Sequence, residues 1–228
     1  MRTLALIGAV AACSGTQTPD PDNRSKAPDA AQATDVVVVV QGTMLWMGNE
    51  QYANEGGDVS VFEGAHSQLA PALKALVEAL PAESQIAVVV HAEVRAPLAP
   101  KTALDAAAAI GPQTSYSEFI AAELLASIDK AVEIFGASKA AKQALIVIGE
   151  GRDSRTVPEA LGAKVSERIE LLRKDGVLGY SIFYRTGTED NGGKVVSKTL
   201  GYTLFREAAS RDDIPGMVGA IGAAIGSR

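Results

Sequence analysis

A three-layer α/β fold is what this sequence predicts: a doubly wound, mostly parallel sheet with helices on both faces and one short antiparallel edge strand. Three observations carry the expectation. The segment Asp35–Val40 sets five valines in succession, a β-branched run that suits a central strand buried on both faces. Two further short apolar runs, Gln85–His91 and Ala144–Ile148, have the same character. Between and after these runs lie stretches with helical spacing, and strand–helix alternation is the signature of parallel strands joined by crossovers.

Each element has its own signals. From Ser67, Leu69, Leu73, Leu76 and Leu80 fall on one helix face, and Pro81 ends that helix. Val94–Leu98 can return beside Gln85–His91 as a short antiparallel edge, where Pro97 is tolerated. Residues 116–135 give the longest helical pattern, with Ile120, Leu124, Ile128, Val132 and Phe135 inward and Gly136 as the stop. Thr156-x-x-Glu159 matches a capping box with Pro158 in the first turn. Leu161, Val165, Ile169 and Leu172 supply the buried face that follows, and Gly176 lies just beyond. Val177–Tyr184 reads as a fourth strand, residues 186–198 as a polar, Gly-rich loop, and residues 201–206 as a last strand. Ile214–Ile225 closes the domain as a helix, with Asp212 and Asp213 favourable at its N-terminus.

Ahead of this domain, expected over residues 34–228, the chain has a different character. Arg2 gives a positive start, Leu4–Ala12 is uncharged and apolar, and small residues precede Cys13. Val10-Ala11-Ala12-Cys13 resembles the bacterial lipobox. That resemblance implies a signal peptide over residues 1–12, cleaved before Cys13, and a diacylglyceryl group and acyl chains (palmitate) on its sulfur and amine. Ser14 in the next position implies sorting to the outer membrane in a Gram-negative cell. Residues 14–33 hold Pro19, Pro21 and Pro28 and no large apolar side chain, so they read as a flexible tether.

Composition narrows the function. A net charge of −6 argues against a nucleic-acid partner, because phosphate neutralisation needs clustered Lys and Arg. No polybasic run marks a membrane patch, so membrane contact is expected through the lipid anchor only. Cys13 is the single cysteine, which removes disulfides and thiolate zinc sites from the domain. Two histidines, His66 and His91, leave few candidates for general-base chemistry. The pair Gly149-x-Gly151 lacks the third glycine of a dinucleotide loop and the Lys-Ser/Thr of a phosphate loop, so it reads as a tight turn and no cofactor is expected.

Three stretches carry a family resemblance. Gln143–Asp153, QALIVIGEGRD, resembles the fourth strand of the von Willebrand factor type A domain, which usually ends in Thr-Asp-Gly. DVVVVVQGTML resembles that family's opening strand. ALDAAAAIGPQTSYSEFIAAELLASIDKAV resembles its short helix, Thr-bearing loop and following long helix. The resemblance implies a ligand site at the C-terminal ends of the strands, where the family holds a divalent cation with an Asp-x-Ser-x-Ser loop, a threonine and an aspartate. Carried over, Gln41 stands in place of the first aspartate, Thr43 keeps a hydroxyl, and Leu45 replaces the second serine. Thr114 matches the threonine, with Ser115 beside it, and Glu150 replaces the last aspartate. Asp153 is near enough in sequence to lend a charge. The set is short of one carboxylate and one hydroxyl, so no metal is expected there.

Trp46, Met47 and Tyr52 lie in a loop of roughly 20 residues after the first strand, either as a contact surface or packed on their own scaffold. The expectation is a non-enzymatic, lipid-anchored module of the cell envelope that binds another envelope or surface protein through Gln41, Thr43, Trp46, Thr114, Glu150 and Asp153. A Mg²⁺-dependent version with a variant cation site is the alternative. A hydrolase using Glu150 and Asp153 is a third reading.

Overall fold

The computed structural model describes residues 33–42, 49–53, 59–111, 123–185 and 192–227. The valine run becomes β1 (Thr34–Gln41), with all eight residues buried. Downstream are β2 (Asn49–Ala53) and β3 (Val59–Glu63), then α1 (His66–Ala79), β4 (Gln85–Val90) and β5 (Glu93–Pro100). The short α2 (Ala106–Ile110) and long α3 (Leu124–Ala137) lead to β6 (Lys142–Gly149) and α4 (Pro158–Lys174). The chain closes with β7 (Leu178–Phe183), α5 (Gly193–Leu200), β8 (Leu204–Glu207) and α6 (Ile214–Gly226).

Six strands form one sheet in the order β5-β4-β1-β6-β7-β8. All its pairings are parallel except β4 with β5, the expected antiparallel edge. Successive strand residues point to opposite faces, and β1 divides its valines accordingly. Val36, Val38 and Val40 join a core with Leu69, Leu73 and Leu76 of α1 and Val218 and Ile221 of α6. Val37 and Val39 join a second core with Ile128 of α3, Val165 and Ile169 of α4 and Leu200 of α5. Each valine is fully buried, which contributes about 1.5–3 kcal/mol apiece. The fold is thus a three-layer sandwich in which β1, β4 and β6 each feed both cores.

Three expectations need correction. Thr156 does not cap α4: Val157 is the N-cap residue, with no side-chain bond to the first amides. The backbone N–H of Thr156 instead donates to the Asp153 carbonyl at 3.4 Å, so the chain is still turning there and Pro158 fixes the helix start one residue later. Residues 193–198 belong to α5 rather than to a loop, because Val196 and Leu200, four apart, bury one face of it. The segment after β1 contains a two-stranded antiparallel sheet in which Tyr52 of β2 pairs with Ser60 of β3; both strands are only five residues long, and β2, Asn-Glu-Gln-Tyr-Ala, is mostly polar.

Candidate functional site

The crossover from β1 leads through α1 on one face of the sheet, whereas the crossover from β6 leads through α4 on the other. Between the two strands the winding reverses, and open α/β sheets form their binding crevice at the C-terminal strand ends beside such a reversal. The two strands end in register: Gln41 pairs with Gly149, and Glu150 follows immediately. Both polar side chains are buried, Gln41 at 0% and Glu150 at 2% exposure. A buried amide and a buried carboxylate thus stand at the ends of the two adjacent core strands.

Glycine makes the approach possible. A Cβ on residue 149 would lie 1.7 Å from the Gln41 carbonyl oxygen and 3.0 Å from its Oε1. Gly151, at φ +65°, turns the chain away from β6, and a Cβ there would lie 2.1 Å from the Gly193 carbonyl at the start of α5. The turn therefore locks against α5 while leaving the end of β6 bare beside Gln41.

Asp153 takes a structural position. One carboxylate oxygen accepts the Leu125 N–H in the first turn of α3 at 2.9 Å, and the other accepts the Arg155 N–H at 3.0 Å. The N-cap residue of α3, Glu123, makes no capping bond of its own, so Asp153 supplies an acceptor from another segment, where negative charge is favourable. Arg155 pairs with Glu123 and ties the same two segments. A cleft of about 420 Å³ opens here, lined by Arg152, Asp153, Ser154, Arg155, Val157 and Leu161 among others.

His91 occupies a position that strand patterning did not single out. It is not the last residue of β4 but the first of a two-residue turn into β5, with φ +47° at His91 and +65° at Ala92. Its N–H reaches the Val40 carbonyl at 3.3 Å, which sets it one residue from Gln41 across the sheet. Ala92 N–H donates to Ser127 Oγ of α3 at 2.8 Å, holding the turn in place. Left-handed residues at such a hairpin turn are normally Asn and Gly, so nothing in His-Ala advertised the geometry. Of the other residues expected at the site, Cys13, Thr43, Trp46 and Thr114 lie outside the described residues.

The fold recurs in solved structures. PilB minor pilin from Streptococcus sanguinis superposes with a TM-score of 0.60 at 10% identity, over 89% of this chain and 63% of that one. The vWF domain of the type V pili tip protein Mfa5 from Porphyromonas gingivalis gives 0.59 at 11% identity, over 86% of this chain and 95% of that one. The von Willebrand factor type A structure from Catenulispora acidiphila gives 0.58 at 12% identity, over 86% of this chain and 43% of that one. The fold is that of a von Willebrand factor type A domain. No family model and no curated protein sequence matches the chain.

The type A fold implies a divalent cation at this edge, and the described residues fit one poorly. No three His, Asp or Glu side chains converge among them. At the strand ends Glu150 brings a single carboxylate and Gln41 only a neutral amide, while both oxygens of Asp153 already accept backbone N–H groups. Mg²⁺ demands near-octahedral oxygen coordination and gives up water reluctantly, and this donor set does not meet that demand.

Proposed function

We propose that this chain is a lipid-anchored module of the cell envelope that binds another envelope or surface protein, without catalysis and without a metal ion. The observation that carries the reading is Gln41. The residue that closes the central strand at the ligand edge of a type A fold is here a neutral, fully buried amide. Structures sharing the fold include a pilus tip protein and a minor pilin, which supports a role in contact between surface proteins. Asp153 accepts two backbone N–H groups, which favours a structural role for it over the hydrolase that would use Glu150 and Asp153.

In this reading a tether of some 20 residues, with a typical span of about 25 Å, joins an acylated Cys13 to the folded domain, whose first strand begins at Thr34. Among the described residues no helix is long and apolar enough to cross a membrane, and in this reading the acyl chains of Cys13 make the attachment.

The test is crosslinked capture from native membranes, in Mg²⁺ and in EDTA. The expected result is the same captured partner in both buffers, with Trp46→Ala weakening capture more than it lowers the melting temperature of the domain. Capture abolished by EDTA and restored by Mg²⁺ would instead establish a cation-dependent site built on Glu150 with Thr43 and Thr114.

A further inference from the structure

The segment between β6 and α4 lines a cleft of about 420 Å³, with Arg155, Val157, Pro158 and Leu161 among its walls. Gln41 does not line it: that side chain is fully buried, and its amide is unbonded among the described residues. Arg152, Arg155 and Asp153 lie in the lining, and Glu123 of the α3 N-cap reaches Arg155 from beside it. The two carboxylates are turned inward. Asp153 accepts the Leu125 and Arg155 N–H groups, and the Glu123 side chain, only 18% exposed, pairs with Arg155. The Arg155 side chain is by contrast 73% exposed, and it meets Glu123 through Nη2 alone. A guanidinium carries five N–H donors in a planar fork, so those on Nε and Nη1 stay uncommitted among the described residues. The cleft thus offers solvent a cation rather than a carboxylate. Beside it stand Val157, 64% exposed, and Pro158, while Leu161 is 4% exposed.

The ligand that suits this surface has two parts. A carboxylate matches the free donors of the guanidinium in charge and in planar geometry. An alkyl stem behind it covers the exposed apolar surface of Val157 and Pro158. A cationic group would meet Arg155 with like charge, and a purely apolar one would take water from the guanidinium without replacing its hydrogen bonds. We propose that this cleft receives a glutamate side chain of the partner protein, anchored by Arg155. Glu123 then has two effects: it holds the guanidinium at the cleft, and its charge opposes the incoming carboxylate. The proposal rests on the reading above that this domain binds another protein, and it gives the chemistry of one contact in that interface.

The experiment follows the Arg155 Nε–H resonance in ¹⁵N-labelled protein, assigned by its loss in Arg155→Gln, together with the backbone amides of Thr156, Val157 and Leu161. Sodium butyrate, sodium acetate and butylammonium chloride are titrated separately at matched ionic strength. The proposal expects a saturable shift with butyrate, an affinity at least about threefold weaker for acetate, which lacks two methylenes, and no saturable shift with butylammonium. Butyrate should bind at least about tenfold more weakly to Arg155→Gln, read from the backbone amides. It should bind at least about twofold more tightly to Glu123→Gln, where the opposing charge is gone. Both variants change a side chain that makes no helix-capping bond, and an unchanged melting temperature confirms that each is folded. Silence toward butyrate, or an affinity unchanged in Arg155→Gln, overturns the carboxylate cleft and leaves the protein-binding reading to the capture assay. Butylammonium binding as well as butyrate overturns the assignment of charge, and weaker butyrate binding in Glu123→Gln overturns the opposing role of Glu123.

Discussion

Replacing Asp153 by alanine separates a structural role for this carboxylate from a ligand-binding one. The side chain makes two bonds to backbone donors, one part-buried to Leu125 in the first turn of α3 and one exposed to Arg155. Losing the first resembles losing an N-cap, at about 1–2 kcal/mol. Losing the second costs about 0.5 kcal/mol, because water can replace an exposed acceptor. The sum is about 2 kcal/mol, and for a domain of this size each kcal/mol lowers the melting temperature by about 2–4 °C. Urea denaturation should therefore show a lower midpoint with unchanged slope, and heating a melting temperature about 4–8 °C below wild type. Asp153→Asn, which keeps one acceptor but no charge, should lose roughly half as much. A loss below about 0.5 kcal/mol for the alanine variant, or a Mg²⁺-dependent difference between variant and wild type, would refute the assignment of Asp153 to helix capping.

Gly149→Ala should destabilise the domain by at least about 3 kcal/mol in urea, because its Cβ meets a backbone carbonyl at 1.7 Å that cannot rotate away; a loss under about 1 kcal/mol would mean that β1 and β6 end differently. Burial pushes the Tyr202 phenol up to about 12, against an attractive contribution from Arg173, whose guanidinium lies 4.4 Å from the ring centroid. Its neutral form is the one the fold favours, so its contribution is fully present below about pH 10, the ordinary tyrosine value. That contribution should fade as pH rises through about 12, and Tyr202→Phe should show a shallower alkaline fall in the denaturation midpoint. Cys13→Ser should appear as soluble or unprocessed protein on membrane fractionation, and unchanged membrane association would end the lipid-anchor proposal.

The sheet was legible because its strands are buried on both faces. Val36–Val40 and Ala144–Ile148 have no polar residue to confuse with a helix stripe, and Leu69, Leu73 and Leu76 of α1 and Leu161, Val165, Ile169 and Leu172 of α4 are buried at helical spacing. Local signals misled where tertiary contacts decide. Thr156-x-x-Glu159 has the letters of a capping box, but the turn held by Asp153 starts α4 beyond it. The helix α5 was hidden by flanking glycines, although its Val196 and Leu200 are core residues. At the site, Gln41 and Glu150 could be placed by register and resemblance. The orphaned amide, the trans-capping Asp153 and the left-handed His91–Ala92 turn depend on which segments meet, and no spacing along the chain records that.

Calorimetric titration of Mg²⁺ into the purified domain tests the central claim most directly, because that claim is a shortage of hard oxygen donors between the ends of β1 and β6. The account predicts only heats of dilution, identical for wild type and Glu150→Ala. Saturable heat in the wild type that disappears in Glu150→Ala would show a working cation site and contradict it.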